Sequence, residues 1–258
     1  MSSLKTALIC FVSLIAGNIV LSVILGFGPL NSNNFWISSS CTIALYLVYL
    51  MVFIIFYKNV EKKDFSFRLN TKNTLSSILI VLLFIACFML VQQAFIDIFK
   101  LMGYNDSGAI SVSVHGWGQF LMCTFVMCIL PAVIEELLFR GVIFKSMRHL
   151  GFITAVLVSA LLFAVYHLSP SQLVYQFIMG IVFASVYEFT GNLIYSMIMH
   201  FINNFFIVAY TFIVGNDLAY SWNAYTVVTA ILLAVCGGVV IIGLVRGLNR
   251  EEHAGKTK

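Results

Sequence analysis

The residues best suited to chemistry lie in one short segment, PAVIEELLFR, from Pro131 to Arg140. It places two adjacent carboxylates, Glu135 and Glu136, and one arginine in a stretch that is otherwise almost continuously apolar from residue 120 to 144. If the segment is helical, Glu136 and Arg140 are four residues apart on one face and can form an ion pair. Glu135 lies about 100° around the helix axis from Glu136, which makes it a poorer partner for the arginine. We therefore predict one neutralised carboxylate and one free carboxylate.

Two histidines and an asparagine follow on later apolar segments. His167 ends the run FAVYH, one helical turn after Phe163, and taken alone is compatible with an interfacial helix end. His200 lies among apolar neighbours inside a later segment, and Asn204 follows on the same helical face. A single polar residue of this kind can serve as a hydrogen bond between membrane helices, worth about 0.6 kcal/mol. The whole set of ionisable groups, concentrated in one part of the chain, instead indicates a functional site.

These residue types suit hydrolysis of a peptide bond. A free carboxylate beside an imidazole can hold and deprotonate a water molecule. A second imidazole with a carboxamide can stabilise the oxyanion of the tetrahedral intermediate. Alternatively, Glu135, His167 and His200 supply the two-histidine, one-carboxylate set of a catalytic zinc site. The chain has no HExxH motif, so the spacing alone leaves both mechanisms, and the presence of zinc, open.

The composition is that of an integral, multi-pass membrane protein. The 258 residues are 61% hydrophobic and only 9% charged, whereas a soluble domain carries about 25% charged residues. The net charge of +4 is small and comes from basic residues in short loops, so no nucleic-acid partner is expected. The six cysteines form no CxxC or Cys/His cluster, which favours a packing role over a disulfide framework.

Eight apolar runs, long enough or nearly long enough to span a bilayer, predict an all-α polytopic membrane helix bundle in one domain, residues 1–258. The runs are residues 7–27, 36–56, 75–96, 119–139, 152–167, 172–188, 192–214 and 224–245. The fourth run is expected to continue helically to about His149, with Gly151 marking the turn into the fifth.

The distribution of basic residues indicates the orientation of the bundle. All of the 14 Lys and Arg residues except Lys100 and Arg140 would lie on one side of the membrane. Trp36, Trp117 and Trp222 each precede an even-numbered run on the opposite side, where interfacial aromatic residues are expected. Both termini are therefore predicted to be cytoplasmic.

The predicted helices do not by themselves bring both histidines to one depth. Counted from the turn near Gly151, Glu135 and His167 reach nearly the same depth in an antiparallel hairpin. In upright helices, however, His200 would lie about 13 Å from the cytoplasmic face and His167 about 25 Å, at a rise of 1.5 Å per residue. Helix tilt is needed to bring them together.

The polar residues together resemble the signature of the type II CAAX prenyl endopeptidase family, also called the CPBP or ABI family of intramembrane proteases. That signature is EExxxR, FxxxH and HxxxN, each on its own transmembrane helix. The matching residues are Glu135, Glu136 and Arg140, then Phe163 and His167, then His200 and Asn204. The resemblance covers roughly residues 118–212, which would be the catalytic core, and leaves residues 1–117 as divergent N-terminal spans.

The resemblance implies roles for the motif residues. Glu135 would activate the water together with His167, and His200 with Asn204 would form the oxyanion site. The second glutamate and the arginine of the first motif would support this arrangement, with Phe163 alongside. Members of the family are described both as metalloproteases and as glutamate-dependent enzymes. The implied substrate is a membrane-associated peptide or lipid-modified protein, and the expected location is the plasma membrane, with the oligomeric state open.

Two other classes of protein compete with the protease interpretation. The first is a non-catalytic membrane scaffold, or a bacteriocin-immunity or regulatory factor of the same family, which keeps the motif residues for folding. The second is an ion-coupled transporter, which buried carboxylates and histidines also suit. The sequence lacks the inverted repeat and paired interrupted helices expected of such a transporter, so we rank that class last.

Overall fold

The computed structural model describes residues 3–27, 34–61, 114, 116–169 and 172–214. Apart from short connections, these residues are helical. Within these ranges the chain forms six successive helices. They are α1 (Ser3–Phe27), α2 (Phe35–Glu61), α3 (Gly116–Leu150), α4 (Phe152–Tyr166), α5 (Leu173–Thr190) and α6 (Leu193–Val214). The all-α prediction is confirmed for this part of the chain.

These six helices correspond to six of the eight predicted spans. The other two, residues 75–96 and 224–245, lie outside the described residues, as does Trp222. By length and composition, three helices are able to cross a membrane, and the other three are shorter apolar helices. The count of eight spans and the cytoplasmic placement of both termini therefore stay predictions.

Helix α3 carries both glutamates and is not a regular α-helix. Its α-helical turns alternate with two π-helical segments, Thr124–Ile129 and Leu137–Phe144, the second of which begins directly after Glu136. Pro131 has no N–H to donate to the carbonyl four residues earlier, so a regular hydrogen-bond ladder cannot run through it. The helix extends to Leu150 and stops at Gly151, whose φ of 96° favours glycine, so both predicted features of this helix end are confirmed.

The first two helices share one hydrophobic core with α3. Buried Tyr46, Tyr49 and Phe53 of α2 belong to the same cluster as Leu138 and Phe139 of α3. Helix α1 approaches α2 closely at a glycine, where a Cβ atom on residue 17 would lie 2.8 Å from the ring of Tyr49. The N-terminal helices are therefore packed against the helix that bears the polar residues.

Helices α4 and α5 form a closely packed hairpin. Gly180 of α5 lies against Ala160 of α4, where an added Cβ atom would come within 2.7 Å of the Ala160 Cα atom. The carbonyl of Gly180 is also a hydrogen-bond acceptor for Arg140 of α3. This glycine thus sets the distance between two helices and contributes an acceptor to a third.

Gly180→Ala is expected to lower the free energy of unfolding by about 1–3 kcal/mol, because the two helices must separate to accommodate the methyl group. The measurement is denaturant unfolding of the purified protein in detergent micelles. Gly118→Ala is the matched control, since the nearest atom to a Cβ there belongs to Trp36, at 3.9 Å. Equal stability of the two variants would contradict the close contact between α4 and α5.

Candidate active site

The predicted ion pair of the first motif is present at the centre of the helical bundle. Arg140 Nη1 lies 2.8 Å from Glu136 Oε1, and both side chains are almost completely buried. Arg140 Nη2 donates to the Gly180 carbonyl at 3.0 Å. The guanidinium also lies over the rings of Phe163 at 4.6 Å and Phe183 at 5.2 Å. This arginine therefore joins α3 to α4 and α5 as well as neutralising one carboxylate.

The other carboxylate, that of Glu135, has two oxygens in different surroundings. Oε1 accepts hydrogen bonds from the hydroxyls of Tyr46 at 2.6 Å and Tyr166 at 3.4 Å. Oε2 is buried and has no hydrogen-bond partner among the described residues. No arginine or lysine within those residues pairs with this carboxylate. Glu135 is thus held through one oxygen, and the other has no hydrogen-bond donor among the described residues.

His200 of α6 lies between the two carboxylates. Its Nδ1 is 3.3 Å from Glu136 Oε1, and its Nε2 is 4.0 Å from Glu135 Oε2. The imidazole stacks on Phe183 with a centroid distance of 5.3 Å and meets Phe163 edge to face at 5.8 Å. A histidine held in this way can donate a hydrogen bond or exchange a proton next to Glu135.

His167 lies at the C-terminal end of α4, where its ring contacts that of Phe163. Its Nδ1 is 2.8 Å from the Phe163 carbonyl. Because a carbonyl can only accept, Nδ1 carries a hydrogen, which leaves Nε2 without a hydrogen bond among the described residues. The Phe163 ring contacts both imidazoles, at 4.8 Å from His167 and 5.8 Å from His200. The folded helices therefore bring together two histidines that upright helices would separate. Within the described residues no ion pair under 4.0 Å joins His167 to Glu135.

Asn204 is positioned by the irregularity of α3. Its side-chain amide donates to the Met127 carbonyl at 3.0 Å, which is the carbonyl that Pro131 cannot satisfy in a regular α-helix. The Asn204 Oδ1 atom accepts from the amide of Asn203 at 2.9 Å. One N–H of the Asn204 amide then remains for another acceptor. The proline of the first segment and the asparagine of the third are thus linked through the Met127 carbonyl.

The proposed zinc ligands do not form a three-ligand set. A zinc site would need Glu135, His167 and His200 around one ion at about 2.0–2.2 Å. Among the described residues, no group of three His, Cys, Asp or Glu side chains is placed to hold a metal ion. The described side chains therefore do not fit this zinc site.

Sequence reasoning did not single out two residues that contact the candidate base. Tyr46 lies on α2, in the part of the chain expected to diverge, and Tyr166 directly precedes His167. Both hydroxyls reach Glu135. The only available signal was the presence of phenolic hydroxyls inside apolar spans, where each must find a buried hydrogen-bond partner.

Comparison with known proteins confirms the predicted family for the segment that carries these residues. Residues 117–206 match the family model described as type II CAAX prenyl endopeptidase Rce1-like. The matched segment contains all three motifs, and with the apolar helices it supports an integral membrane protein with a segment similar to the type II CAAX endopeptidases.

A protein to which this chain is similar is the membrane-embedded CAAX protease MroQ of Staphylococcus aureus strain USA300. It is 33% identical over 93 residues, which cover 33% of this chain and 38% of that protein. The similarity thus spans well under half of the relative's length. No solved structure matches the chain.

Proposed function

We propose that this protein is an intramembrane endopeptidase in which Glu135 activates a water molecule for attack on a peptide bond. The observation that carries the proposal is the environment of the Glu135 carboxylate. One oxygen is held by two tyrosine hydroxyls, while the other is buried, unpartnered and 4.0 Å from His200 Nε2. A carboxylate placed in this way can accept a proton without first breaking an ion pair.

The proposed reaction balances with the groups of the site. Glu135 Oε2 takes a proton from water as the water oxygen forms a bond to the carbonyl carbon of the substrate. The negative charge that develops on the carbonyl oxygen is stabilised by hydrogen bonds from His200 and from the free N–H of Asn204. The tetrahedral intermediate then expels the amine, which takes the proton from Glu135 as the carbon–nitrogen bond breaks. His167, with its free Nε2, assists the transfer of the proton.

The ion pair supports this chemistry without taking part in it. Arg140 neutralises Glu136, so the site contains one free carboxylate rather than two repelling ones. The aromatic rings of Phe163 and Phe183 enclose the arginine and the imidazole of His200. The low polarity of these surroundings strengthens the hydrogen bonds that stabilise charge during the reaction.

The substrate that fits this protein is a membrane-associated peptide or a lipid-modified protein. Two findings support this class: the candidate site lies on helices of an integral membrane protein, and the matching family is described as a prenyl endopeptidase. We further propose that the protein acts in the plasma membrane, where such substrates are anchored by their lipid or apolar segment.

A comparison of peptide termini tests the proposal against the scaffold alternative. Membranes and medium are collected from cells that make either the unaltered protein or Glu135→Gln at matched levels, and the new peptide termini are identified by mass spectrometry. We expect a set of termini that appears only with the unaltered protein, and these identify the substrate. Identical termini in both samples, together with an unchanged phenotype, would support a non-catalytic scaffold instead.

Chelation distinguishes the glutamate mechanism from a zinc mechanism. Because the described side chains do not form a three-ligand set, cleavage of the identified substrate by the purified protein is expected to persist within about twofold after treatment with a zinc chelator. The measurement is the initial rate before and after chelation, with zinc added back as the control. Loss of cleavage that zinc restores would contradict the glutamate mechanism.

A further inference from the structure

A residue from the N-terminal helices lies in direct contact with the candidate base. Tyr46 of α2 is buried, and its hydroxyl donates to Glu135 Oε1 at 2.6 Å. This distance is typical of a hydrogen bond from a hydroxyl to an ionised carboxylate, which is shorter and stronger than a bond between neutral groups. Tyr46 lies outside residues 117–206, the segment that matches the family.

We propose that Tyr46, assisted by Tyr166, is a positioning residue that fixes the Glu135 carboxylate and selects the oxygen that receives the proton of water. This inference rests on the proposed function. A carboxylate that rotates freely presents two equivalent oxygens, and only some of its orientations place a lone pair toward the water. Among the described residues two phenols bond to Oε1 and none bonds to Oε2, so Oε2 is the oxygen with lone pairs left for the proton. The tyrosines thereby pre-organise the base.

A neighbouring tyrosine on the same helix provides a comparison, because its ring lies 6.3 Å from that of Tyr166 but its hydroxyl bonds to α1 and not to Glu135. Tyr49 lies one turn after Tyr46 and is also buried. Its hydroxyl lies 2.7 Å from the Leu14 carbonyl and 2.8 Å from Asn18 Oδ1, both on α1. A phenol in α2 can therefore be satisfied by neutral groups of the adjacent helix. Tyr46 instead contacts the carboxylate that pairs with no arginine or lysine among the described residues.

The two tyrosines reach the carboxylate from different helices. Tyr46 comes from α2, whereas Tyr166 lies at the end of α4, where its backbone carbonyl accepts a hydrogen bond from Asn18 of α1 at 3.2 Å. The base on α3 is thus held from two sides. The N-terminal helices complete the candidate site, and their contribution extends beyond anchoring the protein in the membrane.

The test is the steady-state kinetics of three Tyr→Phe variants, with the substrate identified from the peptide termini. Tyr46→Phe removes the 2.6 Å hydrogen bond and keeps the ring, so kcat is expected to fall about 10- to 100-fold, with KM changed by less than about threefold. Tyr166→Phe, at 3.4 Å, is expected to have a smaller effect of the same kind. Tyr49→Phe, the matched control, is expected to keep kcat within about threefold.

The outcomes separate this inference from the proposed function. The positioning role is overturned if kcat of Tyr46→Phe is unchanged or falls only as much as that of Tyr49→Phe. In that case the proposed function still stands, provided that Glu135→Gln measured in parallel is inactive. If Glu135→Gln retains cleavage, the proposed function fails. Should Tyr46→Phe not accumulate as folded protein, the kcat of Tyr166→Phe decides, and a value equal to that of the unaltered protein overturns the proposal.

Discussion

Replacing Glu135 by glutamine is expected to lower kcat by about 10²- to 10⁴-fold, the range that a positioned general base contributes. Glutamine keeps the size and the Oε1 acceptor for Tyr46, so the hydrogen bond of 2.6 Å can persist. Its amide nitrogen, which replaces Oε2, cannot accept the proton of water. Substrate binding should change little, because the substitution removes a group that acts mainly in the transition state. The measurement is kcat and KM of the purified variant with the identified peptide.

Glu188→Gln is the control for the removal of an acidic side chain. Glu188 lies at the end of α5, is partly exposed and pairs with Arg148 at 2.9 Å, away from the candidate site. Its replacement is expected to leave kcat within about threefold of the unaltered value, since surface ion pairs contribute about 0–1 kcal/mol. Comparable activity in Glu135→Gln and Glu188→Gln would remove Glu135 from the mechanism.

Replacing Arg140 by alanine is expected to destabilise the protein by about 3–5 kcal/mol, because it leaves the Glu136 carboxylate buried without its partner. Three further interactions are lost together: the hydrogen bond to the Gly180 carbonyl and the contacts with the rings of Phe163 and Phe183. The measurement is denaturant unfolding in detergent, followed by circular dichroism. Arg148→Ala is the matched control and is expected to cost about 0–1 kcal/mol, because Arg148 and its partner Glu188 are both partly exposed.

A double substitution identifies the origin of the destabilisation. Arg140→Met combined with Glu136→Gln removes both charges and is expected to be more stable than Arg140→Met alone, because no uncompensated charge remains buried. If the destabilisation of the double variant equals the sum of those measured for Arg140→Met and Glu136→Gln alone, the ion pair does not account for the loss of stability.

The ion pair could be predicted from the sequence because it depends on spacing within one helix. Glu136 and Arg140 are four residues apart, and their contact at 2.8 Å needs no knowledge of the neighbouring helices. The end of the same helix at Gly151 was predictable for a similar reason, since a helix end at a glycine with positive φ is a local feature of the chain.

The position of the histidines could not be predicted in the same way. Residue counts give the depth of a side chain only for an upright helix, and helix tilt depends on packing. In the structure, the ring of Phe163 contacts the rings of both His167 and His200, and His200 lies within 4.0 Å of both carboxylates. Spacing within each motif therefore identified the residues, whereas the distances between motifs came from the packing of three helices.

Two further contacts depend on pairs of helices that no motif connects. The hydrogen bond from Tyr46 to Glu135 joins α2 to α3, and a tyrosine in an apolar span gives no indication of its partner. The bond from Asn204 to the Met127 carbonyl exists where Pro131 interrupts the hydrogen-bond ladder of α3. Sequence analysis named Pro131 only as the first residue of the polar segment and did not identify it as the source of an acceptor for another helix.

The most direct test of the central claim is cleavage by the purified protein alone, reconstituted into liposomes and incubated with a peptide that spans the bond cut in cells. We predict that liposomes with the unaltered protein convert the peptide into two products whose masses place the cut at that bond. Liposomes with Glu135→Gln should leave the peptide intact. Equal cleavage in both preparations, or no cleavage in either while the cells still cut the substrate, would contradict the account.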